Sequence, residues 1–551
     1  MDIEIKKALE KILREEINLE VPPDTSLGDY SFPCFSLAKK LKKNPNQIAS
    51  DLAKKIKGGF RVEVNGGYLN FFLDKKTVVK KVIGKILKQK DKYGSQKNKQ
   101  FVVIEYPSPN TNKPLHLGHL RNIVLGNSIS RSLSFYGNTV KKVNLNNDRG
   151  IHICQSMLAY KKFGNNKKPN KKSDHFVGDF YVLYHKKLKV DPSLEIETNE
   201  MLRLWEDKDK KTWGLWRKMN KWALDGFQET YNLFNLKFDK VYHEHEFYDK
   251  GKEIILNGLK EGVFNKGENG EVYIELGEEL GKKVLLRPDG TSIYITQDLY
   301  LSELKFKDFP KTGVSIYVVA NEQNYHFKVL FKLAEILKLK SAGKGYHLSY
   351  GMVNLPEGKM KSREGKVVDA DDIIEEMITL AENEIKKRYK DLSKKEIENR
   401  SKIIGLGALV FYLLKIDPAR DINFDPKESI NFEGDTGPYV QYAHARCCSI
   451  LKKTKLSKIK NYSDFNEHDF LLIKELGKFS EVVRKSAKSY NPSIIAHYLL
   501  SLVKIFNEFY EKNPVLKAEK EKNLRVSLVY CTKIVLKNGL NLLGIDAPEE
   551  M

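Results

Sequence analysis

Two histidines near residue 117 have a type and spacing that suit phosphate chemistry. His116 and His119 are three residues apart, so a helix places both imidazoles on one face. An apolar, β-branched run at Phe101–Tyr106 precedes them and predicts a buried strand, and Pro114 fits the first helical position after the loop. Imidazoles at a helix N-terminus can donate hydrogen bonds to phosphate, while Gly118 leaves room for a flat adenine. The pattern predicts a nucleotide site.

The histidine pair alone leaves two other interpretations open. It could be a helical pair without a ligand. It could also form part of a metal site, although the nearby sequence offers no third ligand.

A second basic segment lies far downstream at residues 358–366, Gly-Lys-Met-Lys-Ser-Arg-Glu-Gly-Lys. A basic loop bounded by glycines can close over a triphosphate and neutralise it. Taken by itself, the segment also fits an ordinary solvated turn.

The elements around these motifs predict an α/β protein of three domains. Residues 1–95 read as a small α+β domain, and residues 96–393 as a Rossmann-like nucleotide-binding domain with a helical insertion at about 160–240. Residues 394–551 read as an all-α domain. In the first domain the pattern predicts helices at Ile3–Ile17, Phe35–Lys42, Pro45–Lys57 and Lys75–Lys90. It predicts strands at Phe60–Val64 and Tyr68–Leu73. In the second it predicts further strands at Ser292–Thr296 and Ser315–Val319.

Composition narrows the class of protein. Lys plus Arg is 95 and Asp plus Glu is 72, which gives a net charge of +23. That charge suits a polyanionic partner, or reflects a lysine-rich solvated surface. Five cysteines without a CxxC pair predict a reducing, cytoplasmic location and no zinc site. The chain offers no stretch of ~20 apolar residues for a membrane span, and no heptad seam, so we expect a monomer.

Many segments together resemble a known family. His116–His119 matches the HIGH signature of class I aminoacyl-tRNA synthetases, and the loop at 359–363 occupies the place of their KMSKS signature. More specifically, the chain resembles arginyl-tRNA synthetases over nearly its whole length. The matching segments lie at residues 108–122, 147–157, 174–181, 294–298, 432–446, 506–511 and the C-terminus.

The resemblance implies an activity. We expect ATP-dependent attachment of L-arginine to tRNA(Arg) through an arginyl-adenylate, with Mg²⁺ assisting. It also implies that the N-terminal domain contacts the tRNA elbow, that the C-terminal helices form an anticodon-binding bundle, and that tRNA can be required for the first step.

The basic loop departs from the family pattern. Only Lys359 and Met360 match KMSKS letter for letter, and the second lysine of the pattern falls on Ser362. Members of the family often carry a lysine just before HIGH, which here is Lys113. We therefore expect Lys113 and Lys359 to act with the histidines in catalysis. The expected ATP-binding residues are His116, Gly118, His119, Met352, Val353, Lys361 and Ser362.

An arginine pocket must neutralise a guanidinium, which carboxylates do well. Asp298 is the best candidate, Tyr294 could stack on the guanidinium, and Glu244 matches a second acidic residue of the family. The resemblance assigns the α-amino and carboxylate groups of the substrate to Glu105, Ser108, Asn110 and Gln323.

Two regions are expected to contact tRNA. Tyr68 and Asn70 match the elbow-contacting module of the family. The C-terminal domain combines basic groups with aromatic faces for unstacked bases at Tyr439, Tyr442, His444, Arg446, Phe506, Phe509 and Tyr510. Aromatic residues at helical spacing can equally be core.

Two functions compete with arginine–tRNA ligation. A nucleotidylyltransferase shares HxGH but leaves the helical C-terminal domain unexplained. A non-catalytic tRNA-binding paralogue would keep the fold, although intact His116, His119 and Asp298 speak against it.

Overall fold

A three-stranded antiparallel sheet organises the N-terminal domain of the computed structural model, which describes residues 2–355 and 368–551. Its strand order is β1-β3-β2, and Leu69 and Phe71 of the central strand are fully buried. Both strands predicted at 60–64 and 68–73 are confirmed. Helix α1 ends before the predicted Ile17, because Arg14 adopts a φ of 58° that no helix can continue. The elements are α1 (Asp2–Leu13), β1 (Tyr30–Pro33), α2 (Phe35–Leu41), α3 (Pro45–Lys55), β2 (Phe60–Asn65), β3 (Tyr68–Leu73) and α4 (Lys75–Gln89).

The central domain is built on a five-stranded parallel sheet with the order β11-β10-β4-β5-β6. Val102, Val103 and Ile104 of β4 are fully buried, as expected for a strand covered on both faces. The sheet elements and their crossover helices are β4 (Phe101–Glu105), α5 (Leu117–Phe135), β5 (Thr139–Asn146), β6 (Lys240–His243), β10 (Val314–Ala320), α12 (Asn324–Ile336) and β11 (Gly345–Tyr350). The Rossmann-like prediction is confirmed.

Two insertions interrupt this sheet. Four helices lie between β5 and β6 and enclose a separate aromatic core, and all but the first lie within the helical insertion predicted at about 160–240. A small antiparallel sheet lies between β6 and β10 and has no counterpart in the predictions. The elements are α6 (Ile151–Phe163), α7 (Ser173–Leu188), α8 (Ser193–Glu206), α9 (Lys210–Leu233), α10 (Gly251–Lys260), β7 (Asn265–Lys266), β8 (Val272–Glu275), β9 (Lys282–Leu286) and α11 (Tyr294–Asp308).

The strand predicted at Ser292–Thr296 is wrong, because helix α11 begins at Tyr294. The β-branched composition of this segment suggested a strand. In the structure Ile295 and Thr296 instead pack inward from the first turn of the helix, and the Thr296 hydroxyl donates to the Leu285 carbonyl at 2.6 Å. Asp298 therefore lies on a helix.

Helices dominate the rest of the chain, as predicted. Their apolar core is continuous with that of the sheet, and Ser128 of α5 donates a 2.9 Å hydrogen bond to the Leu542 carbonyl. Among the described residues, no helix has the length and apolarity needed to cross a membrane. The elements are β12 (Val353–Asn354), α13 (Ala370–Arg388), α14 (Lys394–Lys415), β13 (Ile422–Asn423), α15 (Pro426–Ser429), α16 (Gly437–Lys452), α17 (Glu467–Ser489), α18 (Ser493–Lys512) and α19 (Lys522–Leu543).

Candidate active site

The order of the parallel strands opens a crevice at one point of the sheet. From β4 the chain proceeds to β5 and β6 on one side, whereas β10 and β11 lie on the other side. Connections after β4 and β10 therefore leave in opposite directions, and α/β proteins bind ligands at such a point, beyond the carboxyl ends of the strands. The loop at residues 106–116 follows β4, and a short turn at Asn321–Gln323 follows β10.

The histidine pair lies at the end of the loop after β4. His116 is the N-cap of α5, with φ −129° and ψ 172°. Its backbone N–H donates to Nδ1 of His119 at 3.1 Å, and the two ring centroids are 3.7 Å apart. The shared face is thus confirmed. Pro114 is not at the first helical position, because the backbone bonds that start the helix come only after His116.

Burial and one lysine hold both imidazoles neutral. Burial, with the charge of Lys113, lowers the pKa of His116 to about 4. Burial, His116 and Lys113 also lower the pKa of His119 well below its usual value. Because Nδ1 of His119 accepts a hydrogen bond, its proton lies on Nε2. The pair therefore offers neutral N–H donors, while Lys113 and the helix N-terminus supply the positive charge.

Side chains from the end of β5 fix the loop before the histidines. Asn144 donates to the Pro107 carbonyl at 2.5 Å, and the Asn147 side chain donates to the Ser108 carbonyl at 3.1 Å. The Asn147 backbone N–H donates to the Pro109 carbonyl at 3.0 Å. These contacts hold Ser108 and the neighbouring Asn110 half-buried at the edge of the crevice. Sequence reasoning missed both anchoring asparagines.

Arg121, one helical turn beyond Leu117, ties this helix to distant segments. It is fully buried, which lowers its pKa to about 10, so it stays protonated at neutral pH. Among the described residues, its guanidinium donates to five backbone carbonyls at distances from 2.7 to 3.4 Å. The acceptors are Gly351, Met352, Asp417, Pro418 and Arg420. The sequence gives only a weak signal for this role, since Arg121 is one of two arginines in a helix that mixes apolar and small polar residues.

Met352 and Val353, which are predicted to bind ATP and which we call the adenine wall, follow the end of β11. Met352 is 40% exposed, and its N–H donates to Asp421 at 2.7 Å. Val353 pairs with Ile422 in the parallel β12–β13 ladder. The wall is therefore supported by residues that follow α14.

The segments on either side of residues 356–367 both lie at this site. On the return side, the Leu117 N–H donates to the Val368 carbonyl at 2.9 Å, and the Ala370 N–H donates to the Leu115 carbonyl at 3.0 Å. On the N-terminal side of residues 356–367 lies the short strand β12. The predicted residues Lys359, Lys361 and Ser362 lie outside the described residues.

Two acidic side chains, Glu244 and Asp298, lie close enough to interact electrostatically, and we call this pair the acidic pocket. Glu244 follows β6 in a short 3₁₀ turn and is 7% exposed. Burial raises its pKa to about 7; Arg149 opposes the rise, whereas Asp148 and Asp298 add to it. Asp298 is a third exposed, and it pairs with Nε2 of His326 at 2.6 Å. Arg149 therefore compensates the burial of the Glu244 carboxylate only in part.

The other predicted arginine ligands are in different environments. Tyr294 is 68% exposed at the first position of α11, and Gln323 is exposed in the turn after β10. Glu105 is buried at the end of β4, where it forms an ion pair with the fully buried Lys305. Its carboxylate thus already contacts an ammonium group of the protein. Although burial opposes it, Glu105 keeps the pKa of Lys305 raised.

The predicted elbow residues line a cavity of about 410 Å³ in the N-terminal domain. Asn70 is buried, and its Oδ1 accepts from the Ser31 hydroxyl at 2.8 Å. Tyr68 packs edge-on against Phe35, with ring centroids 5.1 Å apart. Val21 at the rim is 73% exposed, so the cavity opens to solvent.

In the C-terminal domain, only part of the predicted aromatic set is on the surface. Arg446 lies 5.0 Å from the Tyr442 ring and 5.8 Å from the Tyr510 ring, and both tyrosines are exposed. Asn507 links Arg446 to the hydroxyl of Tyr439. The alternative that aromatic residues at helical spacing belong to the core holds for three of them, His444, Phe506 and Phe509, which are buried.

Comparison with known proteins defines the class and then the family. A family model described as tRNA synthetases class I (R), catalytic domain, matches residues 82–425, so the sheet and its histidine turn are those of a class I aminoacyl-tRNA synthetase. An arginyl tRNA synthetase N-terminal domain matches residues 2–73, and a DALR anticodon binding domain matches residues 440–551. The chain belongs to the arginyl-tRNA synthetase family.

Individual relatives agree over the full length. The arginine–tRNA ligase of Treponema denticola is 47% identical over 98% of this chain and 96% of its own. That of Borrelia hermsii is 43% identical over 100% and 98%. The solved Thermus thermophilus arginyl-tRNA synthetase superimposes with a TM-score of 0.87 at 28% identity, covering 100% of this chain and 99% of that chain.

Proposed function

We propose that the protein attaches L-arginine to tRNA(Arg) in two ATP-dependent steps. The observation that carries the proposal is that two features lie along one edge of the parallel sheet. One is the histidine turn, and the other is the buried carboxylate of Glu244, whose burial Arg149 compensates only in part. The first feature suits a nucleotide and the second suits a guanidinium. A chain with both can join an amino acid that is cationic at its side chain to AMP.

In the first step the arginine carboxylate attacks the α-phosphorus of ATP, and pyrophosphate leaves. His116 and His119 donate neutral N–H groups to phosphate oxygens, and Lys113 adds positive charge where it develops. Lys359 and Lys361, with the Ser362 hydroxyl, are proposed to complete the phosphate contacts from the basic loop. Gly118 and the Met352–Val353 backbone flank the adenine in this scheme.

Mg²⁺ is proposed to arrive as part of the ATP substrate. His116, His119 and Lys113 provide nitrogen donors, whereas Mg²⁺ prefers oxygen ligands and keeps several waters. The phosphate oxygens of ATP are thus the ligands that fit best, and they would be shielded by the ion during transfer.

In the second step a ribose hydroxyl at the tRNA 3′ end attacks the carbonyl of arginyl-adenylate, and AMP leaves. The attacking group belongs to the tRNA, so no nucleophilic side chain is required. The enzyme contributes positioning of the two reactants.

Arginine is proposed to lie between the acidic pocket and the loop after β4. Asp298 and Glu244 receive the guanidinium, with Tyr294 against its face. Ser108, Asn110 and Gln323 receive the α-amino and carboxylate groups. Glu105 is proposed to assist at the α-amino group, and its pair with Lys305 supports an indirect, charge-based role.

Two surfaces are proposed to bind tRNA. In the N-terminal cavity Tyr68 offers a ring for stacking, and Asn70 offers polar edges for a loop base. In the C-terminal domain Tyr439, Tyr442 and Arg446 are proposed to receive anticodon bases. The net charge of +23 supports a polyanionic partner.

The working form is proposed to be a cytoplasmic monomer. All five cysteines are unpaired and buried, which suits a reducing compartment. Light scattering of the purified protein with and without tRNA tests the monomer, and a mass of twice 63.5 kDa would contradict it.

One assay separates this function from its competitors. Purified protein is incubated with ATP, total tRNA and labelled arginine, with lysine and glutamine as controls. We expect charging with arginine alone. Pyrophosphate exchange that needs no amino acid would favour a nucleotidylyltransferase, and tRNA binding without any charging would favour a non-catalytic paralogue. Omission of tRNA from an arginine-dependent exchange assay tests whether tRNA is needed for the first step.

A further inference from the structure

A fully buried aspartate lies directly beneath the turn that carries Glu244. Asp148 follows β5 and is 0% exposed. One carboxylate oxygen, Oδ2, accepts from Nδ1 of His243 at 3.1 Å and from Nδ1 of His245 at 2.7 Å. The other, Oδ1, accepts from the backbone N–H of His245 at 3.0 Å. Asp148 therefore holds both chain neighbours of Glu244.

The aspartate is itself fixed from the opposite side by α9. Asn220 donates to its carboxylate at 3.3 Å, and the Trp216 indole donates to its backbone carbonyl at 2.7 Å. The Trp216 ring also packs edge-on against His245, with centroids 4.7 Å apart. The turn is thus held between β5 and α9, leaving Glu244 little freedom to move.

The pKa shifts around this turn agree with the hydrogen bonds between Asp148 and the two histidines. Hydrogen bonds from both histidines lower the pKa of Asp148 although burial opposes them, so the carboxylate is ionised. Its hydrogen bond raises the pKa of His243, with burial opposing and Glu246 contributing. The groups that act on Glu244 are Arg149, Asp148, Asp298 and Gln297.

A bound metal ion is the other way to explain the cluster. The three ligand atoms of Asp148, His243 and His245 lie within 4.8 Å of one another, and such a donor set suits Zn²⁺. In the structure both Nδ1 atoms are already at hydrogen-bond distance from the same carboxylate oxygen. Protons on the imidazoles satisfy this arrangement, so the hydrogen-bonded interpretation needs no additional ion.

We propose that Asp148 is a positioning residue for the amino-acid site: it stays clear of the substrate and sets the location of the Glu244 carboxylate through His243 and His245. The proposal rests on the proposed role of Glu244 in guanidinium recognition. The contribution is specific to the amino acid, because among the described residues no hydrogen bond of the Asp148 carboxylate reaches the histidine turn where ATP is proposed to bind.

The first test is Asp148→Asn, which keeps the shape of the side chain and removes its charge. We expect the KM for arginine in tRNA charging to rise about 10- to 100-fold, while the KM for ATP changes less than about twofold. Preference for arginine over its neutral analogue citrulline should fall as well. An unchanged arginine KM with a folded variant overturns the proposal.

The pH profile supplies a readout that a purely structural role would not move. The charge of Asp148 helps to keep the pKa of Glu244 high. In Asp148→Asn the midpoint of the pH dependence of arginine KM should therefore shift to lower pH. An unshifted midpoint contradicts the proposal.

A second pair of variants covers the case in which Asp148→Asn fails to fold. His245 is 22% exposed at its side chain, so its replacement is tolerated more easily. His245→Ala removes one hydrogen bond to Asp148 and should raise the arginine KM. His245→Asn keeps a donor near the position of Nδ1 and should restore it. Equal KM values in the two variants contradict the proposal.

Two controls separate this proposal from its surroundings. Asp469→Asn removes an equally buried carboxylate, paired with Arg525 in the C-terminal helices, and should lower the melting temperature without altering arginine KM. Glu244→Gln tests the proposed guanidinium site itself. If Glu244→Gln leaves arginine KM unchanged, the site assignment fails; if only Asp148→Asn does so, the positioning role alone fails. Stoichiometric zinc in the purified protein that disappears in Asp148→Asn would favour the metal interpretation and overturn ours.

Discussion

The histidine turn and the acidic pocket treat charge in opposite ways, although burial suppresses charge in both. At the turn, burial and Lys113 lower the pKa of His116 and His119, and the lysine supplies the charge that the imidazoles lack. In the pocket, burial raises the pKa of Glu244 to about 7, and Arg149 only partly opposes this. The histidine turn therefore already carries positive charge for an anionic ligand. In the acidic pocket, a bound cation would add to the positive charge that Arg149 supplies only in part to Glu244.

The largest expected effect comes from removing a charge from the acidic pocket. In Asp298→Ala the guanidinium loses a carboxylate partner, and we expect kcat/KM for arginine to fall by about 100- to 1000-fold. The KM for ATP and the melting temperature should change little, since Asp298 is a third exposed. Charging kinetics and thermal denaturation measure these quantities. Near-normal arginine activation would mean that the pocket lies elsewhere.

A somewhat smaller effect is expected on the side of the histidine turn. His119→Ala removes a neutral donor and the acceptor of the His116 N–H, so kcat should fall about 100-fold with arginine KM unchanged. His119→Gln keeps a donor near the position of Nε2 and should recover part of the loss. Steady-state kinetics of both variants provide the comparison. A changed arginine KM in either would show that the two regions are not independent.

The pH dependence separates the two regions without mutation. As the pH falls below about 7, Glu244 becomes protonated, so arginine KM should rise by up to about tenfold for each pH unit. Above about pH 7 Glu244 is ionised, and arginine KM should level off. The pKa of His116 is about 4, so the KM for ATP should stay nearly constant between about pH 6 and 8. Initial rates at varied pH measure both. An arginine KM that does not vary with pH would remove Glu244 from the binding event.

The same shift has a consequence for stability. Glu244 titrates near 4.5 when unfolded and near 7 when folded, so its protonated form stabilises the ligand-free protein at low pH. That contribution is lost as pH rises through about 7. Arginine binds the ionised form and offsets the loss. The arginine-induced rise in melting temperature should therefore be larger at about pH 8 than at about pH 6.

The smallest expected effect concerns glycine between the histidines. A Cβ at Gly118 would lie 3.0 Å from the His116 ring, so Gly118→Ala requires a small shift of that ring. We expect kcat to fall to between about a third and a tenth of the wild-type value, with arginine KM unchanged. Single-turnover measurements of adenylate formation detect the change. Wild-type kcat would mean that the His116 ring moves freely.

Local patterns predicted much of the fold and several candidate site residues. The buried strand at Phe101–Glu105, the histidine face and the C-terminal helices follow from hydrophobic periodicity and spacing. The error at Ser292–Thr296 arose because inward packing of Ile295 in α11 prevailed over its β propensity. The aromatic residues Phe506 and Phe509 were ambiguous, since a ring at helical spacing fits a core as well as a surface.

Residues that act over long sequence distances could not be predicted. Asn144 and Asn147 anchor the loop after β4 only because β5 pairs with β4. Asp148 reaches the turn around Glu244 across 95 and 97 residues of sequence. Such partners have no local pattern, because the fold alone brings them together.

Arg121 has a consequence for how this protein can be divided. Three of its five carbonyl acceptors, those of Asp417, Pro418 and Arg420, come from the loop after α14. A fragment ending at residue 393 would lack them and leave the buried guanidinium with only the Gly351 and Met352 carbonyls as acceptors, at a cost of about 1–3 kcal/mol for each lost acceptor. Such a fragment would contain every strand of the parallel sheet and still have a poorly supported adenine wall. The smallest autonomous unit for nucleotide binding therefore extends past the sheet into the helices that follow it.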